Sequence, residues 1–302
     1  MRADSHAANV STRPVAKPSY GCVVLTQGHR PALLREGLES LTTQAGVEVD
    51  AIVVGNGWSP SGLPEGVGGL GHEQDVGIPA GRNSGVPHVR GELLFFLDDD
   101  ASLAEPDALA RVAEKFRADP RLGMLQLRVD PRGTGPAARE WVPRLRVGDR
   151  TRSSDVPHVW EGAVAIRRDV FDAVGGWPAE FRFVHEGVDL GWKVMDAGYR
   201  VHYAGDVAAL HPPYQPSRND YAYYYGARNR VWLARRYLPL PLAIPFVGTF
   251  ALRTLRRLDS PAKRRAALRG YRDGMRGPCG GRHPLSARTL VRMTRIGRPP
   301  VV

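Results

Sequence analysis

Gly91-Glu-Leu-Leu-Phe-Phe-Leu-Asp-Asp-Asp100 is a run of large apolar residues that stops at three consecutive aspartates. A short apolar run without polar alternation reads as a strand buried on both faces, the kind found in parallel sheets. Three adjacent carboxylates at the edge of a core repel one another, so a cation or hydrogen bonds must compensate them. A D-x-D at a strand end suits a hard divalent ion, Mg²⁺ or Mn²⁺, which takes oxygen ligands and keeps positions open for phosphate. The alternative is an acidic loop in which Asp100 or Ser102 caps the next helix.

Working outward, the same grammar repeats. Tyr20 to Thr26 is another short apolar strand, and Pro31 to Gln44 carries Leu33, Leu34, Leu38 and Leu41 at helical spacing behind a first-turn proline. Val49 to Val54 predicts a second strand closed by Gly55-Asn-Gly57, and Ser59 to Gly71 a loop or weak edge strand. Ile78 to His88 predicts a short helix before the third strand, Glu92 to Leu97, and Glu105 to Ala118 a helix stopped by Asp119-Pro120. Strands alternating with helices indicate a parallel sheet covered on both faces, in which ligands bind beyond the carboxyl ends of the strands. Thr26, Gly55-Asn56 and the aspartates all fall at such ends.

The second half is less regular. Arg132 to Arg152 reads as a mobile loop rich in Gly, Pro and Arg. Ala163 to Ile166 and Tyr199 to Tyr203 predict strands. Asp169 to Val174, Val188 to Ala197 and the aromatic-rich Asp220 to Tyr237 predict helices. Glu186 and Asp189 stand three apart at a helix start, which puts both carboxylates on one face, as a general base or as first-turn acids. His211 follows a strand, where neutral imidazole is a common metal ligand.

Composition narrows the field. At 302 residues the chain is long enough for a real core, and residues 1–18 read as disordered. Two cysteines, Cys22 and Cys279, exclude a disulfide scaffold and fit a reducing, cytoplasmic compartment. No H-x-x-H pattern supports zinc and no G-x-S-x-G supports a serine hydrolase. Gly66-Val-Gly-Gly-Leu-Gly71 matches a dinucleotide fingerprint only formally, since no strong strand precedes it and no helix opens after it. The formal net charge of +11 is concentrated. Arg253 to Val302 holds 14 basic and two acidic residues, so the preceding 252 residues are nearly neutral. Such a tail is either solvated or meets an anionic partner, lipid surface or nucleic acid. Before it, Leu238 to Leu252 is apolar but interrupted by Pro239, Pro241 and Pro245, which suits lying in a membrane interface or packing on the core.

Taken in order, these stretches resemble family 2 glycosyltransferases of the GT-A type over about residues 19–240. The resemblance is carried by Val23-Val-Leu-Thr26, Leu33-Leu34, Leu38 to Leu41 and Ile52 to Gly57. It continues through Asp75 to Gly85, Gly91 to Asp100, Gly162 to Arg168, Val174 to Trp177, Glu186 to Trp192, His211 and Tyr225 to Arg230. The later motifs look most like the bacterial subgroup containing rhamnosyl- and galactofuranosyltransferases.

The resemblance implies a GT-A catalytic domain at 19–237, with a mostly parallel central sheet flanked by helices. An amphipathic, helical basic extension would follow at 238–302. It implies a nucleotide-sugar donor (UDP-, dTDP- or GDP-) and Mg²⁺ or Mn²⁺. Thr26 and Asn56 would lie near the base, and Arg82 and Asn83 near the nucleotide. Asp98, with Asp99 beside it on the donor side, would hold ribose or sugar. Asp100 and His211 would hold the metal. Trp160, Glu161 and Gly162 would touch the donor sugar or the acceptor. The reaction would be a single inverting displacement onto a hydroxyl of an envelope glycan, lipid-linked or small-molecule acceptor. The protein would be cytoplasmic, with peripheral contact to anionic membrane.

Two departures stand out. Gly55 replaces the acid that usually ends the second strand. The usual Glu-Asp-x-Asp reads Glu186-Gly187-Val188-Asp189, leaving Glu186 first and Asp189 second as base. A degraded nucleotide-sugar-binding protein, or anionic-polymer binding through the tail, are the competing readings.

Overall fold

The computed structural model describes residues 16–213, 220–258 and 260–301. The disorder expected at 1–18 concerns mostly residues outside that range, namely 1–15. The chain runs β1 (Ser19–Thr26), α1 (Pro31–Thr42), β2 (Glu48–Asn56), β3 (Val67–His72), α2 (Ile78–Gly85), β4 (Leu93–Asp98) and β5 (Ser102–Leu103). It continues as α3 (Ala108–Ala118), β6 (Leu122–Pro131), β7 (Ser154–Asp155), β8 (Ala163–Arg167), α4 (Arg168–Ala173), α5 (Glu186–Asp196) and β9 (Arg200–His211). The helices α6 (Asp220–Tyr237), α7 (Leu240–Arg257), α8 (Pro261–Arg276) and α9 (Ala287–Arg295) follow.

One sheet holds the molecule, in the order β3-β2-β1-β4-β8-β6-β9-β5, with β7 on the edge of β9. β1 pairs in parallel with both β2 and β4, and β6 with β9. Among the long strands described, β8 alone is reversed, antiparallel to β4 and to β6. The strand period of two sends Val23, Ile52, Leu94 and Phe96 into one core. Their neighbours Cys22, Val24, Ala51, Val53, Phe95 and Leu97 enter the other. Both faces are therefore dry, which is why β1 and β4 lack polar alternation. Helices α1 and α3 cover one face through Leu34, Leu38, Leu41, Leu109 and Phe116. Helices α4, α5 and α6 cover the other through Phe171, Leu190 and Trp232. The C-terminal helices are continuous with this second core, to which α7 gives Phe246 and α9 gives Met293.

Some expectations are corrected, and some open alternatives are decided. β6 was not foreseen, although it joins the reversed β8 to β9 in the middle of the sheet. β9 does not stop at Tyr203 but runs to His211, with an irregularity where Leu127–Arg128 faces Ala204–Ala208. The Gly-rich 59–71 segment supplies the edge strand β3. The loop at 132–152 is pinned rather than free. Arg139 donates to the carbonyls of Val142 and Leu145, and Arg144 to those of Asp149 and Arg152. Trp141 is buried, its carbonyl taken by Gln126. The arginines of this loop are used as backbone donors. The Pro-interrupted apolar segment forms helix α7, with Phe246 underneath and Leu240, Ile244 and Leu252 exposed. Among the described residues no helix is long and apolar enough to cross a membrane.

Candidate active site

The parallel register aligns the carboxyl ends of β1, β2 and β4, since Thr26 faces Gly55 and Leu25 faces Asp98. A cleft of about 640 Å³ opens beyond them. His211 arrives by a different route. The short strand β5 pairs antiparallel with β9, Ser102 on Leu210, so the end of β9 lies against the aspartates.

The three aspartates take three directions. Asp98 accepts from Arg82 at 2.6 Å, and Arg82 is almost wholly buried with its guanidinium 5.3 Å from the Trp177 ring centre. Asp99 turns back to β1, accepting from the Thr26 hydroxyl at 2.5 Å and from Arg30 at 2.8 Å. Burial raises its pKa, partly opposed by that hydroxyl and by Arg30. Asp100 meets Arg30 on one oxygen and His211 Nε2, 3.1 Å away, on the other. His211 Nδ1 is 2.8 Å from the Pro212 carbonyl, a contact that suits an N–H donor there and leaves the Nε2 lone pair facing Asp100. A lone pair facing a carboxylate oxygen calls for a cation or a shared proton. Ligand atoms of Asp98, Asp100 and His211 all lie within 4.8 Å of one another, and this O,O,N donor set fits Mn²⁺ or Mg²⁺. Asp98 thus joins the candidate metal group.

The two asparagines expected at the nucleotide part company, since Asn56 lines the cleft and Asn83 does not. Asn56 donates to Asp75 at 2.7 Å and accepts from the Val76 N–H, fixing the turn into α2. Asn83 faces away from the cleft, holding both the N–H and the carbonyl of Trp177. Arg30, Asp75, Arg182, Phe183 and Tyr221 line the cleft without having been singled out. Asp75 lay within the matched Asp75 to Gly85 segment, but the others carried no signal in sequence. Gly55 has a local cause, because a Cβ there would sit 1.9 Å from the Trp58 carbonyl oxygen.

Glu186 and Asp189 part company despite their spacing. Asp189 is fully buried, accepting from Tyr237 at 2.6 Å and pairing with Lys193 at 3.0 Å and Arg236 at 3.4 Å. It ties α5 to α6 and, like Glu161 and Glu186, is not among the residues that line the cleft. Glu186 is buried beside Glu161, within electrostatic reach of Arg82 and Asp98. Burial raises the pKa of both glutamates, and the charge of Glu186 adds to the rise at Glu161, which reaches about 8. Glu161 accepts from the Gly187 N–H at 2.5 Å. A Cβ on Gly187 would lie 2.4 Å from that same Glu161 oxygen and 2.4 Å from the Val159 carbonyl. The glycine is therefore required sterically, above all by the Val159 backbone carbonyl, which cannot swing aside as a side chain can. Trp160 packs its ring on Trp141 and His211, with centroids 5.9 and 5.3 Å away, and Gly162 receives the Asp98 N–H on its carbonyl.

The segment between the glutamates and the cleft is strained. Arg182, Val184 and His185 all have positive φ, 60°, 67° and 72°. Such angles cost about 1–3 kcal/mol each, and a β-branched residue rarely adopts them. Buried Asn229 holds the segment, its amide nitrogen 3.0, 2.8 and 2.8 Å from the carbonyls of Phe181, Phe183 and Val184. Arg228 adds bonds to the carbonyls of Glu180 and Phe181. The Arg228-Asn229 pair in the matched Tyr225 to Arg230 stretch is a clamp. Asn229→Ala should cost about 3 kcal/mol by orphaning buried carbonyls, read as a lowered thermal midpoint. Affinity for any ligand of the cleft should fall with it, because Arg182 and Phe183 line the cleft.

The model of the family described as Glycosyl transferase family 2 matches residues 22–175. The O-antigen biosynthesis protein RfbC of Myxococcus xanthus is 26% identical over 160 residues, which is 47% of this chain and 12% of that protein. Among solved structures, S. aureus TarS 1-349 superposes with a TM-score of 0.58 at 14% identity, covering 85% of this chain and 81% of that one. The mannosyltransferase PcManGT from Pyrobaculum calidifontis, in complex with GDP-Man and Mn²⁺, gives 0.52 at 18% identity, with 97% and 80% covered. GalNAc-T7 with UDP, GalNAc and Mn²⁺ gives 0.60 at 13% identity, with 86% and 56% covered. At these identities the structures speak for the fold, a mixed α/β sheet of GT-A type flanked by helices.

Proposed function

The chain belongs to glycosyl transferase family 2, and from that premise we propose a metal-dependent inverting transferase that moves a sugar from a nucleotide-sugar to an acceptor hydroxyl. The observation that carries this reading is the convergence of Asp98, Asp100 and His211 at the mouth of the cleft beyond β1, β2 and β4. The solved neighbours holding GDP-Man or UDP with Mn²⁺ support the ligand class. Asp98, Asp100 and His211 would hold the ion, whose chemistry is charge neutralisation on the leaving diphosphate. Thr26 and Arg30 fix the Asp99 and Asp100 carboxylates, and Arg82 orients Asp98. The acceptor proton goes to the Glu161–Glu186 pair rather than to Asp189, whose oxygens are already paired.

The rhamnosyl- or galactofuranosyl-type sugar, the envelope or lipid-linked acceptor, and the contact with the inner face of an anionic membrane belong to the same proposal. They are supported by the order of the later motifs, by the O-antigen relative and by the basic extension at 238–302. The catalytic unit is 19–237. Gly187 does not argue for a degraded protein, since Glu161 supplies a carboxylate against it. Calorimetric titration of UDP, dTDP and GDP, each with and without Mn²⁺, tests the reading. One nucleotide should bind in a Mn²⁺-dependent manner, and failure of all three with metal present would overturn it.

A further inference from the structure

A second cavity of about 350 Å³ lies between α5, α6, α7 and the segment after α9, with His185 of the strained segment in its wall. Arg230, Arg253 and Arg298 line it, and Glu140 is the one acid among its described lining residues; Arg253 and Glu140 are both exposed. Arg230 is 8% exposed, its Nε buried without a hydrogen-bond partner and its guanidinium stacked 3.7 Å from the Phe246 ring centre. None of the three arginines makes an ion pair among the described residues. Burial and neighbouring arginines push Arg230 down to about 9 and Arg298 to about 10. The two histidines of the wall, His158 and His185, are held below the ordinary range by burial, so they are neutral. A buried cation without a counter-charge is costly, and its surroundings here ask for an anion.

The remaining wall is apolar and aromatic, with Trp192, Phe246, Phe250 and Met293. We propose that this cavity binds a phosphate carried on an apolar chain, with Arg230, Arg253 and Arg298 on the phosphate and the aromatic wall along the chain. A lipid source is favoured over free phosphate by helix α7 itself. Its inner face supplies Phe246 and Phe250, while its outer face presents Leu240 and Ile244, 72% and 71% exposed, and Leu252 on the same i+4 ridge. The basic extension adds attraction to an anionic surface. The inference deepens the membrane contact proposed above and rests on it for the choice of lipid.

The test titrates dihexanoyl phosphatidic acid, dihexanoyl phosphatidylcholine and inorganic phosphate into the full chain. Phosphatidic acid should bind at least about ten-fold tighter than the other two. Arg230→Gln should lose at least about ten-fold, and Arg288→Gln, an exposed arginine of α9, less than about two-fold. Equal losses in both variants would overturn the pocket, reducing binding to diffuse charge. Inorganic phosphate binding as tightly would overturn the lipid. If Arg230→Gln fails to fold, tryptophan fluorescence decides. A phosphatidic acid signal present in wild type and absent in Trp192→Phe supports the site, and an unchanged signal sinks it. Sedimentation with phosphatidylglycerol vesicles separates the two levels. Vesicle binding that both arginine variants retain keeps membrane contact and discards the pocket. Short-chain binding without vesicle binding keeps the pocket and discards membrane contact.

Discussion

Asp100→Ala is expected to lower Mn²⁺-dependent nucleotide affinity at least about 100-fold, or about 2.7 kcal/mol. The residue is central to two separate balances. It faces His211 Nε2 across 3.1 Å and shares the three-residue group whose ligand atoms fall within 4.8 Å. Removing it leaves one carboxylate and one imidazole, too few hard donors for either ion at micromolar concentration. It also anchors Arg30, which is half exposed and bridges Asp99 and Asp100. In the variant Arg30 keeps Asp99, so the fold of the β1–α1 turn should survive and the loss should be specific to binding with metal. The metal-free affinity therefore serves as the internal control. Equal affinity of wild type and variant in Mn²⁺ would move the metal, if any, elsewhere.

What the sequence made legible follows from where each signal is local. β1, β2 and β4 are short runs buried on both faces, and their polar ends could only lie beyond the sheet, so Thr26, the aspartates and the cleft were readable together. His211 was readable as a candidate, but its approach depends on β9 continuing through an irregularity and pairing with β5. Neither feature has a composition cue. β6 went unread because Arg128 and Asp130 interrupt its apolar run, yet they pair with each other and so cost the strand little. Asn83 shows the opposite failure. A polar residue at the right place in the chain is spent on Trp177, whereas Asn56 both fixes a turn and lines the cleft, and only tertiary geometry tells the two apart. The Glu186–Asp189 spacing put both acids on one helix, but the partners brought by Glu161 and by α6 decide that one stands within electrostatic reach of Asp98 and the other is a tie.

Glu161→Gln is expected to reduce kcat about 10²- to 10⁴-fold without lowering the thermal midpoint, which at neutral pH should rise because a buried carboxyl no longer has to ionise. The argument turns on what the substitution keeps. Glu161 accepts the Gly187 N–H in the first turn of α5, where His185 provides no side-chain cap. A glutamine oxygen accepts the same bond, so a purely structural glutamate would tolerate the change, and only proton transfer is lost. The pH profile gives a second reading. With Glu161 raised to about 8 by burial and by Glu186, the active deprotonated base accumulates as pH rises through that value, so kcat/KM should climb on the alkaline side of neutrality. Glu186→Gln removes the like charge and should shift the rise toward lower pH. The same shift has a sign in stability. Between about pH 4.5 and 8 the folded state holds a proton that the unfolded state has released, so stability falls with pH across that window and is constant above it. Glu161→Gln should flatten this dependence. A variant that keeps full activity and the wild-type pH profile would return Glu161 to the role of a helix cap and leave Glu186 to take the proton alone.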